Sequence, residues 1–318
     1  MDKEDYINNI RRAIDHGIAL GQQNKDGTVA SYIPELAKAN PDYLACSVML
    51  TNGEQLVGGD NPTHKVTLQS ISKLVLLIGL MEEFGPEKLF SWINTEPSGQ
   101  PFSSVIALEQ FGPIPSNPLI NAGAIALSDK IPGSNRQEKI AWLRKWIDKI
   151  FNKSLTFSET VFQSELISGD RNRSLAYLMK SNGVITQDID DVLVPYFSLC
   201  SYEIDIETIV CLPMLLASGG KSKDGKRIIS EEVSNIIVSI MATCGVYDES
   251  GNFLVRTGMP AKTSVSGLIV AVATGRGGIA VSSPRLNSKG TSVQGDIVIE
   301  HISRALDWHF ASPWGFRS

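Results

Sequence analysis

Strand-like segments lie near both ends of this chain, with a long helical stretch between them, and that layout limits the folds open to it. Near the start, residues 43–50 and 54–59 are two such runs joined by Thr51-Asn52-Gly53; Asn-Gly between runs of this kind is a strong hairpin signal. Near the end, residues 253–256, 263–273 and 277–281 are rich in Val, Ile and glycine-bounded turns and read as strands, followed by a last helix over about 293–308. From about 83 to 245 the pattern is helical, with helices expected over 118–129, 137–151, 158–166, 172–180, 187–199, 206–217 and 231–243. Asp205 and Ser230 stand at N-cap positions, and Gly183, Gly219 and Gly245 mark C-terminal ends. Trp142 and Trp146, four apart on one of these helices, read as packing residues, and an amphipathic helix over 6–20 opens the chain. The two ends therefore meet in one sheet while the middle folds as a helical layer. The expected class is α+β: an antiparallel sheet built from N- and C-terminal segments and flanked by helices, with a central helical subdomain. The chain reads as a single domain over 1–318, its sheet part about 1–70 and 246–318, its helical part about 71–245.

The chain crosses from sheet to helices at residues 66–83, where a short polar approach runs into a strongly apolar helix whose first turn carries Ser70 and Lys73. Three residues apart on a helix, their side chains share a face, about 5–6 Å apart at Cβ. An alcohol is a poor nucleophile at neutral pH, and a neighbouring amine can take its proton only if burial or a nearby cation lowers the lysine pKa from about 10.4. Ser-x-x-Lys supplies that geometry; the plain alternative is a capping serine beside a solvated lysine. The same spacing recurs at Ser218 and Lys221, but Gly219 and Gly220 between them break the helix that the chemistry needs.

Composition narrows the field. The chain has 318 residues, 42% of them hydrophobic, enough for a sizeable core, and its net charge of −5 with no basic run argues against nucleic acid or an anionic membrane as partner. No window reaches the roughly 20 apolar residues of a membrane span, and the N-terminus lacks the apolar stretch of a signal peptide, so a reducing cytoplasm is the expected home. Cys46, Cys200, Cys211 and Cys244 are widely spaced in apolar segments and read as reduced core residues. His16, His64, His301 and His309 show no metal-site spacing, so a metal enzyme is not expected. Spacing alone leaves a Ser-His-Asp triad open, but no Gly-x-Ser-x-Gly elbow is present, and lysine is the better candidate base.

Near the C-terminus, Lys262-Thr263-Ser264 opens a strand-like run. Acyl-serine enzymes of the penicillin-recognising type pair a Ser-x-x-Lys helix with a Lys-Thr-Gly strand bordering the active site. Both elements occur here in that order, the second with Ser264 in place of the glycine, whereas Ser-Asp-Asn, the third member of the set, is absent, which weighs against β-lactam chemistry. The chain is similar to a relative of that fold, the serine-dependent glutaminases, over most of its length. The resemblance runs through Tyr32-Ile-Pro-Glu-Leu-Ala-Lys, Leu68-Gln-Ser-Ile-Ser-Lys, Glu96-Pro-Ser-Gly and Asn117-Pro-Leu-Ile-Asn-Ala-Gly-Ala-Ile. It continues through Ser168-Gly-Asp-Arg-Asn, Tyr196-Phe-Ser-Leu-Cys-Ser, Cys244-Gly-Val-Tyr-Asp and Pro260-Ala-Lys, and the compact length is like the bacterial form.

The resemblance implies a β-lactamase/transpeptidase-like fold and hydrolysis of L-glutamine to L-glutamate and ammonia through an acyl-serine, without cofactor. It makes Ser70 the nucleophile and Lys73 its activator, gives Tyr247 a part in proton transfer, and places Tyr32 beside the serine. The backbone amides of Ser70 and Val265 would form the oxyanion hole, and Glu165 would meet the α-ammonium of the substrate. Asn121, Asn172, Tyr196 and Tyr247 would be its polar contacts; neutral amides and phenols can hold a carboxylate without a buried cation. Asp170 and Arg171 read as structural partners outside the site. The family further implies a homo-oligomer, dimer or tetramer. Another acyl-serine hydrolase of β-lactamase or esterase type, and a non-catalytic glutamine sensor, stay open as alternatives.

Overall fold

A computed structural model describes residues 3–110 and 112–312 of the chain. The central sheet has five antiparallel strands in the order β2-β1-β8-β7-β6, with β1 Ala45–Leu50, β2 Gln55–Gly59, β6 Ala261–Thr263, β7 Leu268–Ala273 and β8 Gly277–Ser282. The hairpin turn at Asn52 and Gly53 joins β1 to β2, and β1 then pairs with β8 from Ala45 opposite Ser282 to Leu50 opposite Gly277. The sheet is thus sewn together from the two ends of the chain, as its layout requires.

Both faces of this sheet are covered, which is why β1 and β7 are buried at every position rather than at alternate ones. Leu268, Val270 and Val272 of β7 enter the larger core on the helical side, while Ile269, Ala271 and Ala273 enter a second core beneath the terminal helices Lys3–Gln23 and Val293–Ala305. The same alternation on β6 sends Ala261 into the second core and turns Lys262 toward the helices. On the helical side the Ser72–Phe84 helix runs through the middle of the larger core, with every residue from Ser72 to Met81 buried. Trp146 is buried in that core and Trp142 packs against it.

Several expectations need correction. Residues 253–256 form no strand: they belong to the helix Ser250–Thr257, in which Phe253 is buried in the second core and Arg256 pairs with Asp296 and Glu300 of the last helix. A short apolar run carries no clear period, and packing decided it. Residues 263–273 are not one strand; a turn with Gly267 at φ 88° separates β6 from β7. The helix expected over 206–217 divides at Val210 into Ile206–Ile209 and Cys211–Ala217. A second sheet of three very short strands was not legible: β3 Val66–Thr67, β4 Thr156–Phe157 and β5 Tyr202–Ile204, in the order β3-β5-β4. Ser70 itself lies not in the first turn of the α-helix but in a 3₁₀ turn, Gln69–Ile71, that leads into it.

Candidate active site

The serine turn is held from two sides. The Leu68 N–H donates to Tyr202 O at 2.8 Å, which ties it to the small sheet, and Ser264 Oγ donates to Leu68 O at 3.1 Å, which ties it to the end of β6. Gln69 is left at φ 45°, and Ser72 Oγ donates to its carbonyl at 2.6 Å, closing the turn. One turn further, Lys73 Nζ lies 3.3 Å from Ser70 Oγ and donates to Asn121 Oδ1 at 2.7 Å. Asn121 Nδ2 donates in turn to Asn172 Oδ1 at 3.0 Å, so one polar chain runs from Ser70 through Lys73 and Asn121 to Asn172. Asn121 begins the helix Asn121–Ser128, whose entry is fixed by close packing: a Cβ on Gly123 would sit 1.9 Å from Asn117 O.

Burial sets the electrostatics. Lys73 is 1% exposed, and loss of water pulls its pKa down to about 8, although the nearby Cys200 and Glu165 would hold it up. Lys262, fully buried, is driven well below the usual lysine range by the same desolvation and by the charge of Lys73. Its Nζ donates to Thr263 O at 2.7 Å and stands 4.1 Å over the Tyr247 ring, with Lys73 Nζ 5.8 Å from that ring. Tyr247 reaches this place because the Glu231–Cys244 helix ends hard against β6, where a Cβ on Gly245 would lie 1.7 Å from Ala261 O. Burial raises the Tyr247 phenol and the approach of Ser70 opposes this, while the buried hydroxyl makes no well-formed hydrogen bond.

Opposite the amines stands an acid. Glu165, 5% exposed, accepts a hydrogen bond from the Tyr32 hydroxyl at 2.9 Å and has no ion-pair partner among the described residues. Desolvation raises its carboxyl pKa, only partly offset by Tyr32 and Gln69. A buried carboxylate with no ion pair in contact, and only the more distant Lys73 charge to offset it, is a charge that a bound ammonium would balance. Between these groups lies a cavity of about 340 Å³, roomy for one amino acid.

Tyr32, Ser70, Asn121 and Glu165 line this cavity, as do Asn172, Tyr196 and Val265. Lys73 and Tyr247 stand behind its wall, Lys73 against Ser70 and Asn121, and Tyr247 against Phe102, with ring centroids 4.7 Å apart. All nine residues singled out in the sequence therefore gather in one place. The reading of Arg171 is corrected: it too lines the cavity, with Nε donating to Ser103 O at 2.9 Å. Asp170 does not, and pairs with Arg173. Gln69, Phe102, Ser103, Ser168, Gly169 and Cys200 complete the lining without having been named as site residues; Cys200 lies one helical turn after Tyr196, a spacing that could have flagged it. None of the four histidines lines the cavity, and Ser218 closes its own tight turn onto the backbone of Lys221.

A family model described as glutaminase matches residues 27–310. The chain is 50% identical over 297 residues to a glutaminase of Legionella pneumophila, covering 93% of this chain and 96% of that one. The chain belongs to the glutaminase family. A glutaminase 2 of Clostridium perfringens is 39% identical, covering 96% of this chain and 97% of its own. Among solved structures, the probable glutaminase ybaS superposes with a TM-score of 0.93 at 30% identity, covering 98% of this chain and all of that one. A Bacillus subtilis probable glutaminase complexed with 6-diazo-5-oxo-L-norleucine follows at 0.83 and 27%, with 95% of each chain covered. This glutaminase accordingly shares the β-lactamase-like α+β fold of the bacterial glutaminases and hydrolyses L-glutamine to L-glutamate and ammonia. No helix among its described residues is long and apolar enough to cross a membrane.

Proposed function

We propose that the reaction proceeds through a glutamyl ester on Ser70, within a single catalytic domain. The observation that carries this reading is the Lys73 amine, buried, 3.3 Å from the Ser70 oxygen and readily deprotonated. Once Nζ is neutral, the contact can reverse, so that Ser70 donates and Lys73 accepts. The Ser70 oxygen then attacks the δ-carbon of glutamine and its proton passes to Lys73. The backbone N–H groups of Ser70 and Val265 receive the developing oxyanion, a contribution of about 3–4 kcal/mol for each such donor. As the C–N bond breaks, Tyr247 hands a proton to the departing ammonia and recovers one from the Lys73 side. Water then attacks the ester, giving its proton to Lys73, and glutamate leaves as Ser70 is reprotonated.

Recognition of the amino-acid end follows from charge. Glu165 takes the α-ammonium with Tyr32 oriented against it, while Asn121, Asn172, Tyr196 and Tyr247 meet the α-carboxylate. The substrate's two ends are thereby fixed, and its side-chain amide is delivered to Ser70. Four free cysteines, three of them buried, fit a cytoplasmic location. Exposed Ile167 and Tyr177 fit a homo-oligomer, dimer or tetramer, which light scattering would distinguish from a monomer. The nucleophile is tested with the diazoketone named above, which has the shape of glutamine. It should add one label to the enzyme, on Ser70 by peptide mapping, and glutamine should protect; a label elsewhere with Ser70 untouched refutes the assignment.

A further inference from the structure

The two residues after Tyr247 reach away from the cavity. Glu249 accepts hydrogen bonds from Asn287 Nδ2, 3.1 and 3.0 Å from its two carboxylate oxygens, and from Thr291 Oγ1 at 2.8 Å. Asp248 pairs with Lys289 at 3.0 Å. All three partners sit on one short turn, residues 287–291, between β8 and the last helix. That turn is closed on itself: Asn287 N–H donates to Thr291 O at 2.9 Å, while Asn287 Oδ1 accepts from the backbone N–H of Lys289 and Thr291 at 2.9 and 3.1 Å. It also bears on the cavity's other walls. A Cβ on Gly290 would lie 3.5 Å from Phe102 and 3.8 Å from Val265. Leu286, just before it, exchanges backbone hydrogen bonds of 2.9 Å with Thr28, on the segment that leads to Tyr32.

We propose that Glu249 is a positioning residue for the glutaminase reaction, fastening the 287–291 turn to the turn that carries Tyr247 and so aiming the phenol at Ser70. This rests on the reading of Tyr247 as the proton donor. Tyr247 sits at φ 55°, a left-handed conformation that side chains of its size rarely adopt and that persists only where the surroundings impose it. Its hydroxyl meets Ser70 without a hydrogen bond of good geometry, so the tip of the ring is held only loosely. Phe102 and Lys262 restrain the ring from its faces. The constraint on the backbone comes from Ser250, whose Oγ donates to Tyr247 O at 2.8 Å, and from Glu249, whose contacts with Asn287 and Thr291 tie the turn to another element. Thr291 is 2% exposed, so its hydroxyl has no solvent to turn to if Glu249 is removed.

The test compares Glu249→Ala, Glu249→Gln and Thr291→Val, each in the natural chain and in a Tyr247→Phe background, by single-turnover ammonia release from L-glutamine. Removing all of its contacts in Glu249→Ala should slow turnover about ten- to a hundredfold, the scale expected for a catalytic group displaced by an ångström. Glu249→Gln keeps an acceptor oxygen and should recover most of the rate. In the Tyr247→Phe background, Glu249→Ala should change the rate by less than about twofold, since the group it positions is gone. Thr291→Val approaches the same link from the other side and should follow the same pattern if Glu249→Ala does not fold. An unchanged rate in both variants, or an equal loss with and without the Tyr247 hydroxyl, overturns the proposal. Tyr247→Phe with full activity would instead refute the role given to Tyr247.

Discussion

Lys73 makes a double prediction, because the same burial that prepares it for proton transfer strains the fold. With its pKa near 8, about a tenth of Lys73 is neutral at pH 7, against about three parts in ten thousand for an ordinary lysine. That is a gain of about three hundredfold in competent base. Turnover limited by proton removal from Ser70 should therefore rise about tenfold between pH 7 and pH 9 and level off above. Ammonia release measured across this range checks it. A rate independent of pH from 7 to 9 would refute the assignment of Lys73 as the base.

The stability counterpart has a definite sign. Each pKa unit corresponds to about 1.4 kcal/mol, so holding protonated Lys73 in the core costs about 3 kcal/mol. Below pH 8 it is protonated in both folded and unfolded chains, and the full cost stands. Between about 8 and 10.5 the unfolded chain binds a proton that the folded one has released, and the cost fades as pH rises. Lys73→Met removes the charge but leaves Asn121 Oδ1 without its donor, a loss of about 1–3 kcal/mol. At pH 7 the inactive variant should thus be as stable as the natural chain or up to about 2 kcal/mol more stable; at pH 10 it should be less stable. Urea unfolding of both proteins at the two pH values reads the difference. Lys262 titrates in both and largely cancels, although loss of its charged neighbour eases its own burial in the variant. A stability difference that does not change with pH would mean that Lys73 keeps an ordinary pKa, and the argument from burial would fail.

Other substitutions probe the remaining groups. Ser70→Ala should abolish turnover while leaving glutamine affinity, measured by calorimetry, within about tenfold; full activity would remove Ser70 from the mechanism. Glu165→Gln should lower kcat/KM for glutamine by about ten- to a hundredfold, the worth of a hydrogen bond to a charged group. Because burial raises the Glu165 carboxyl, binding in the natural enzyme should weaken as pH falls through that raised value. The variant should lack this acid limb; an identical profile in both would place the ammonium elsewhere. Gly123→Ala forces a methyl onto Asn117 O and should destabilise the chain by at least about 1–3 kcal/mol in thermal unfolding, with Asn121 displaced from Lys73; unchanged stability would show that the entry to that helix is not tightly packed.

The sequence by itself determined the sheet's origin in two distant segments, the Ser70–Lys73 pair and, through the family motifs, every residue later found around the cavity wall that had been named in advance. These are local signals, an Asn-Gly turn, a helical spacing, a run of identities, and local signals survive in one dimension. Residues 253–256 and the two- and three-residue strands β3, β4 and β5 were not legible, because segments that short take their conformation from what they pack against. The role of Phe102 as cavity lining was hidden, since it arrives from a separate loop; Arg171 and Cys200 share helices with Asn172 and Tyr196, but only packing decides which residues of a helix face the cavity. Only the tertiary structure decided that Lys73 and Lys262 would be dehydrated beside one phenol and that Glu165 would face the cavity without an ion-pair partner in contact. A side chain's charge state depends on how much water its neighbours remove, and the groups that gather here, Lys73, Glu165 and Lys262 among them, come from segments far apart along the chain.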